Sequence, residues 1–82
     1  MSDITPHYHL DTKGLRCPEP IMMLHRVMRK AQSGDYIEVI ATDPSTSWDI
    51  PRFCTHLNHQ LVEQQQYDED NATVYRYLIQ KG

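Results

Sequence analysis

The stretch that decides the architecture of this chain runs over residues 14–31 and has the sequence GLRCPEPIMMLHRVMRKA. Proline lacks an N–H group and is tolerated only in the first turn of a helix. Pro18 and Pro20 therefore predict that a helix begins at about this point, with Cys17 at or just before its N-terminal cap. Apolar side chains recur behind them at helical spacing and predict the buried side of the helix: Ile21, Leu24, Val27, Met28 and Ala31.

The position of Cys17 makes it a candidate reactive thiol. A helix N-terminus and a neighbouring cation both lower the pKa of a thiol, and Arg16 is adjacent, although the anion Glu19 partly opposes the effect. The alternative is that Cys17 is a small buried hydrophobe. Its polar, turn-forming neighbours favour the reactive role, and the sequence predicts a Cys17 pKa below the free-cysteine value.

Outward from this stretch, the patterns predict four strands and one more helix, within a single domain over residues 1–82. The strands are predicted over residues 7–10, 36–42, 61–67 and 73–80, and an acidic turn over 68–71 joins the last two. Ile50, Phe53, Cys54 and Leu57 fall on one face of a helix that ends near Asn58. Pro51 is expected in the first turn of that helix.

The order of elements is therefore β-α-β-α-β-β, which predicts an α+β fold. A helix that connects two strands usually makes a right-handed parallel crossover. We thus expect a two-layer sandwich, with a mixed four-stranded sheet and both helices on one face. The loops that enter the two helices then leave the same edge of the sheet, so Cys17, Asp43, Ser45 and Trp48 are expected to lie together.

The charge of the chain argues against a general nucleic-acid binder. Eight Lys and Arg residues stand against eleven Asp and Glu residues, for a formal net charge of -3, whereas such binders carry a strongly basic footprint. The basic excess lies around the first helix, at Arg16, Arg26, Arg29 and Lys30. The polar N-terminus lacks the apolar segment of a signal peptide, and no apolar run is long enough to span a membrane. We therefore expect a cytoplasmic protein with reduced thiols.

The other candidate residues carry weaker signals. Cys54 lies on the apolar stripe of the second helix and is expected to be a buried, inert thiol. A structural zinc site needs about four ligands with close paired spacing, and Cys17 and Cys54 stand alone, so no metal site is predicted. Trp48 is either an exposed anchor for a partner or a lid on the core, and the sequence leaves both open.

The sequence around Cys17 resembles the CPxP signature of the TusA/SirA-like family of small sulfur carriers, and most closely its TusA branch. The resemblance begins at Asp11 and covers Gly14-Leu15-Arg16-Cys17-Pro18-x-Pro20. It continues through ATDP at residues 41–44, DIPxFC at 49–54 and YRYLI at 75–79, and so spans nearly the whole chain. It implies a two-layer β-α-β-α-β-β sandwich in which Cys17 carries a persulfide, supported by Gly14, Arg16, Pro18, Glu19 and Pro20.

The resemblance also implies partners. A cysteine desulfurase is the expected sulfur donor, and a TusBCD-like complex is the expected acceptor, on the route to 2-thiouridine at the wobble position of tRNA. No cofactor is implied, and we expect a monomer when the protein is free. Arg26, Arg29, Lys30 and Trp48 are the expected partner-contacting residues. Two alternatives stay open: a noncatalytic regulatory or RNA-contacting module that uses the basic helix face, or the same relay in another pathway, such as sulfur oxidation or molybdenum-cofactor supply.

Overall fold

The computed structural model of the chain describes residues 5–82. The first four residues of the polar N-terminus, on which the signal-peptide argument depends, lie outside that range. The elements follow the predicted order and are β1 (Tyr8–Thr12), α1 (Glu19–Lys30), β2 (Tyr36–Ala41), α2 (Thr46–His56), β3 (Gln60–Glu69) and β4 (Ala72–Gln80). The predicted α+β class is confirmed.

The four strands form one mixed sheet in the order β1-β2-β4-β3. β1 and β2 are parallel and are joined by the α1 crossover, whereas β4 is antiparallel to both β2 and β3. Because β1 and β2 run the same way, the loops after them emerge at one edge of the sheet. This edge holds the β1–α1 loop and the β2–α2 loop, as the sequence predicts.

The core lies between the sheet and the two helices. Alternate residues of β2 and β4 are fully buried there, among them Val39 and Tyr77, which pair across the two strands. Each helix contributes its apolar stripe, and the buried members are Leu24 and Met28 from α1 and Ile50, Phe53 and Cys54 from α2. Burial of this stripe is what holds such short helices in place, since isolated helices of this length are marginal in water.

A chain of ion pairs crosses the opposite face of the sheet. Arg76 on β4 lies between Glu38 on β2, at 2.5 Å, and Glu63 on β3, at 3.0 Å. His9 on β1 contacts the other oxygen of Glu38 at 2.8 Å. All four strands therefore contribute to one polar network, in which Arg76 pairs with two acids of the neighbouring strands.

The strand boundaries differ from the sequence prediction by one or two residues, and two of the differences have a clear structural basis. β1 continues to Thr12 instead of ending at Leu10, because the buried hydroxyl of Thr12 donates to the carbonyl of Ile40 at 2.8 Å. The hairpin between β3 and β4 closes on two residues, Asp70 and Asn71, rather than on four. Their φ values of 51° and 64° are the left-handed geometry of a tight hairpin turn.

The prediction that Pro51 lies in the first turn of α2 is wrong. The helix already begins at Thr46, so Pro51 lies in its interior. A proline there cannot donate to the carbonyl four residues earlier, which belongs to Ser47. The side-chain amide of Gln64, on β3, donates to that carbonyl at 3.2 Å instead. Over residues 5–82, no helix is long and apolar enough to cross a membrane.

Candidate functional site

The two loops at the edge of the sheet are tied together by backbone-to-side-chain hydrogen bonds. The N–H of Gly14 donates to Thr42 Oγ1 at 2.9 Å, and the N–H of Cys17 donates to Asp43 Oδ2 at 2.6 Å. Gly14 has a φ of 82°, a conformation that glycine adopts without strain. The predicted proximity of Cys17 and Asp43 is therefore confirmed, and a specific contact accounts for it.

Asp43 is the residue that links the loops. Its Oδ1 accepts the N–H of Ser45 at 3.0 Å while its Oδ2 holds Cys17. These two backbone hydrogen bonds lower the pKa of Asp43, and the charge of Arg16 adds to the effect. Thr46 donates to the Asp43 carbonyl at 2.7 Å and also hydrogen-bonds the hydroxyl of buried Tyr77 at 2.9 Å, so the loop is anchored to the core.

Cys17 is exposed and lies one residue before the N-terminal cap of α1, as the two prolines predict. Pro18 occupies the cap and is joined to Cys17 by a cis peptide bond, and Pro20 lies buried in the first turn. The sulfur is thus presented at the tip of a helix by a loop whose backbone is fixed.

The prediction of a lowered Cys17 pKa is wrong. Partial desolvation raises the pKa of the thiol, as do the hydrogen bond and charge of Asp49 and the charge of Asp43, against a smaller opposing hydrogen bond from Ser45. The prediction rested on groups close in sequence, namely the helix end and Arg16, with Glu19 partly opposing them. The acidic groups come from the second loop and from α2, which the fold brings to the sulfur.

A groove between α1 and α2 opens next to Cys17. Its floor is apolar, from Pro18, Ile21 and Phe53, and its volume is about 440 Å³. Three polar side chains of α2 complete it, at Asp49, Arg52 and His56. None of these three was predicted as a site residue, although Asp49 belongs to the DIPxFC stretch and their spacing of three and four residues places them on one side of a helix.

The expected partner-contacting residues lie outside this groove. Arg26, Arg29 and Lys30 are exposed on α1, and Arg26 borders a separate depression with Glu19, Met22 and Met23. Trp48 lies in the first turn of α2 with 59% of its surface exposed. Of the two readings of Trp48, the structure therefore supports the exposed side chain over the lid.

The second cysteine is buried, as the stripe of α2 predicts. Burial raises the pKa of Cys54 to about 11, which leaves it protonated near neutral pH. Both cysteines are free thiols. Among residues 5–82, no three His, Cys, Asp or Glu side chains form a group that could hold a metal ion.

A family model and known relatives both match this chain over nearly its whole length. Residues 8–81 match the family model described as Sulfurtransferase TusA. The chain is 51% identical over 81 residues to the sulfur carrier protein TusA of Pseudomonas putida strain W619, covering 99% of this chain and 96% of that protein. It is 49% identical to the sulfur carrier protein TusA of Pseudomonas putida strain GB-1, again over 99% of this chain and 96% of that protein.

A solved structure shares the fold. The crystal structure of a SirA-like protein from Desulfitobacterium hafniense matches with a TM-score of 0.68, over 92% of this chain and 99% of that one, at 13% sequence identity. At that identity the likeness concerns the fold alone. The family match spans almost the full chain and includes the loop that presents Cys17, and on that ground the chain belongs to the TusA family of sulfur carriers.

Proposed function

We propose that Cys17 carries sulfane sulfur as a persulfide and passes it from one protein to another. The observation that carries this proposal is an exposed thiol at the tip of α1, on a loop fixed by Asp43 and beside an open apolar groove. An enclosed pocket would suit a small substrate. An open groove next to a protruding sulfur suits the approach of another protein's cysteine.

The chemistry is a transfer between sulfur atoms. The Cys17 sulfur attacks the terminal, sulfane sulfur of a persulfide on the donor's cysteine, and a new S–S bond forms as the bond to the donor sulfur breaks. The donor cysteine leaves as a thiolate and takes up the proton that Cys17 gives up. No electrons are gained or lost overall, so the step needs no redox cofactor, and its rate depends on the thiolate fraction and on access to the sulfur.

The partners proposed are those of the family relay. A cysteine desulfurase supplies the sulfur, and a TusBCD-like complex accepts it for 2-thiolation of the tRNA wobble uridine, in the cytoplasm. The net charge of -3 supports transfer to a protein rather than direct contact with tRNA. We further propose that the whole chain acts as one carrier domain, monomeric when free, without a cofactor.

The residues around Cys17 have supporting roles in this proposal. Gly14 makes the turn that lets the loop reach Thr42, Pro18 and Pro20 fix the start of α1, and Arg16 pairs electrostatically with Asp43. Glu19 lies in the first helical turn, where an anion is favourable. The exposed residues Arg26, Arg29, Lys30 and Trp48 are proposed to contact partner proteins.

The test is intact-mass analysis after incubation with a cysteine desulfurase and cysteine. We expect a gain of one sulfur atom, located at Cys17 by peptide mapping. Cys17→Ser should abolish the gain and keep the fold, because a hydroxyl is not nucleophilic at neutral pH. Cys54→Ser is the matched control and should still accept sulfur. Sulfur found on Cys54, or full acceptance by Cys17→Ser, would contradict the assignment of Cys17. No gain of sulfur by the unaltered protein would favour a noncatalytic module.

A further inference from the structure

We propose that the Ser45 hydroxyl donates a hydrogen bond to the Cys17 sulfur whenever that sulfur carries negative charge. The contact stabilises the thiolate that attacks the donor's persulfide, and also the thiolate that leaves when the carrier delivers its sulfur. This inference rests on the proposed role of Cys17 and identifies a group that assists it. It concerns the side of the site where the β2–α2 loop meets the Cys17 loop.

The Ser45 hydroxyl is a donor that the folded chain leaves unused. Ser45 is the N-terminal cap residue of α2, a position at which a serine side chain usually accepts an N–H of the first helical turn. Its φ of -64° and ψ of -21° are helical rather than extended, and within residues 5–82 its side chain makes no capping hydrogen bond. Its Oγ is buried, and no other group of the described chain is its hydrogen-bond partner. Buried polar atoms without a partner are rare in folded proteins, so this donor is available to another state of the site.

One carboxylate brings Ser45 and Cys17 together. The N–H of Ser45 donates to Asp43 Oδ1 at 3.0 Å, and the N–H of Cys17 donates to Asp43 Oδ2 at 2.6 Å. Two residues held on the two oxygens of one carboxylate are close neighbours, although they belong to different loops. The Ser45 hydroxyl acts on both the Asp43 carboxylate and the Cys17 sulfur. Each Asp43 oxygen already accepts an N–H group, so the charged sulfur is the acceptor with capacity left.

The surroundings of the sulfur make a donor at this position consequential. Desolvation and the acids Asp49 and Asp43 raise the pKa of Cys17, whereas the Ser45 hydroxyl acts in the opposite direction. Four further charged or titratable side chains surround the site, from the Cys17 loop, α1 and α2: Arg16, Glu19, Arg52 and His56. A hydrogen bond to the ionised form favours that form. The hydroxyl therefore offsets part of the effect of the acids.

The same contact serves both halves of the relay. On loading, the Cys17 thiolate attacks the sulfane sulfur of the donor persulfide, and the donor cysteine leaves as a thiolate. On delivery, an acceptor thiolate attacks the terminal sulfur of the Cys17 persulfide. The S–S bond then breaks, and its electron pair stays on the Cys17 sulfur, which takes up a proton. Ser45 keeps its own proton in both steps. Its hydrogen bond raises the thiolate fraction for loading and improves the leaving group for delivery.

The experiment measures the pH dependence of Cys17 alkylation by iodoacetamide, with the site resolved by mass spectrometry. Ser45→Ala removes the hydroxyl and leaves the charges of the site unchanged. We expect its alkylation midpoint to rise and its rate at pH 7 to fall by roughly threefold or more. Ser47→Ala is the matched control. It deletes a hydroxyl that donates to the carbonyl of Pro44 at 2.8 Å, and it should leave the midpoint unchanged.

A purely structural role for Ser45 is distinguished by thermal unfolding. If the side chain only capped α2, Ser45→Ala would lower the melting temperature and leave the alkylation midpoint in place. Because the hydroxyl has no partner to lose among residues 5–82, we expect the melting temperature to stay close to that of the unaltered protein while the midpoint moves. An unchanged midpoint in Ser45→Ala would overturn the proposal and assign the hydroxyl to Asp43.

Release of sulfur to a small nucleophile tests the leaving-group half. Cys17 is loaded with inorganic polysulfide, and the persulfide is then treated with cyanide, which removes the terminal sulfur as thiocyanate and leaves the Cys17 thiolate. We expect Ser45→Ala to release thiocyanate more slowly than the unaltered protein, by roughly twofold or more, and Ser47→Ala to release it at the unaltered rate. Equal rates for all three proteins would overturn this half.

The proposed function and this inference fail separately. Neither alkylation nor release to cyanide requires a desulfurase. An unaltered protein that gains no sulfur from a desulfurase contradicts the proposed function, while a raised alkylation midpoint in Ser45→Ala still supports the contact between Ser45 and Cys17.

Discussion

At the scale of single residues, the site depends on what two aspartates do with their oxygens. Asp43 accepts N–H groups from two loops and so converts a flexible connection into a fixed one. Asp49 lines the groove beside the same sulfur, and its charge adds to the desolvation that raises the pKa of Cys17. Two aspartates six positions apart therefore differ in what they do: Asp43 ties the two loops together, and Asp49 places negative charge beside the thiol.

Asp43→Asn should loosen the Cys17 loop and lower the free energy of unfolding by about 1 kcal/mol, since charge-assisted hydrogen bonds to two N–H groups are weakened. The pKa of Asp43 is lowered in the folded state, so its contribution is complete above the unfolded-state value of about 4 and is lost as the pH falls through the folded-state value. Denaturant titrations at pH 7 and pH 3 measure this. The difference between the two proteins should shrink at pH 3, and a constant difference would contradict the role of the charge.

At the scale of elements, the sequence predicted what depends on local chemistry and missed what depends on distant contacts. The start of α1 follows from Pro18 and Pro20, which act within their own turn. The start of α2 was misplaced because Pro51 was interpreted by the same local rule, while Gln64 from β3 satisfies the carbonyl that a proline leaves free. The pKa of Cys17 was mispredicted for the same reason, because the desolvation and the acidic neighbours that raise it, Asp49 of α2 and Asp43 of the second loop, depend on the fold.

The pairing of Gln64 with the proline-interrupted helix predicts a coupling between two mutations. Gln64→Ala should destabilise the protein by about 0.5–1.5 kcal/mol, because the Ser47 carbonyl loses its donor. In a Pro51→Ala background the new N–H of residue 51 satisfies that carbonyl, so Gln64→Ala should cost clearly less. Thermal unfolding of the four proteins gives the double-mutant cycle. Additive effects would show that the Gln64 contact does not compensate for the proline.

At the scale of the whole molecule, the basic side chains of the two faces differ in how far they are exposed. On the open face of the sheet, Arg76 pairs with Glu38 and Glu63, and His9 hydrogen-bonds Glu38. The side chain of Arg76 is only 20% exposed. The helical face carries the exposed basic residues of α1 together with the Cys17 edge. A partner that recognises positive charge therefore has more to contact on the helical face, where the bases of α1 are exposed.

This arrangement predicts graded effects of charge reversal along α1. Arg26 is the nearest to Cys17 of the three exposed bases on the helix, so Arg26→Glu should slow sulfur transfer from the desulfurase and flatten its dependence on salt. Lys30→Glu makes the same change of charge one turn further from Cys17 and should slow transfer less. Both residues are exposed, so melting temperatures should stay close to that of the unaltered protein.

The measurement is the rate of Cys17 loading at low ionic strength and at about 0.15 M salt, where screening acts over about 8 Å. Equal rates for all three proteins at low salt would assign the basic face to ordinary solvated surface and place docking on the groove alone.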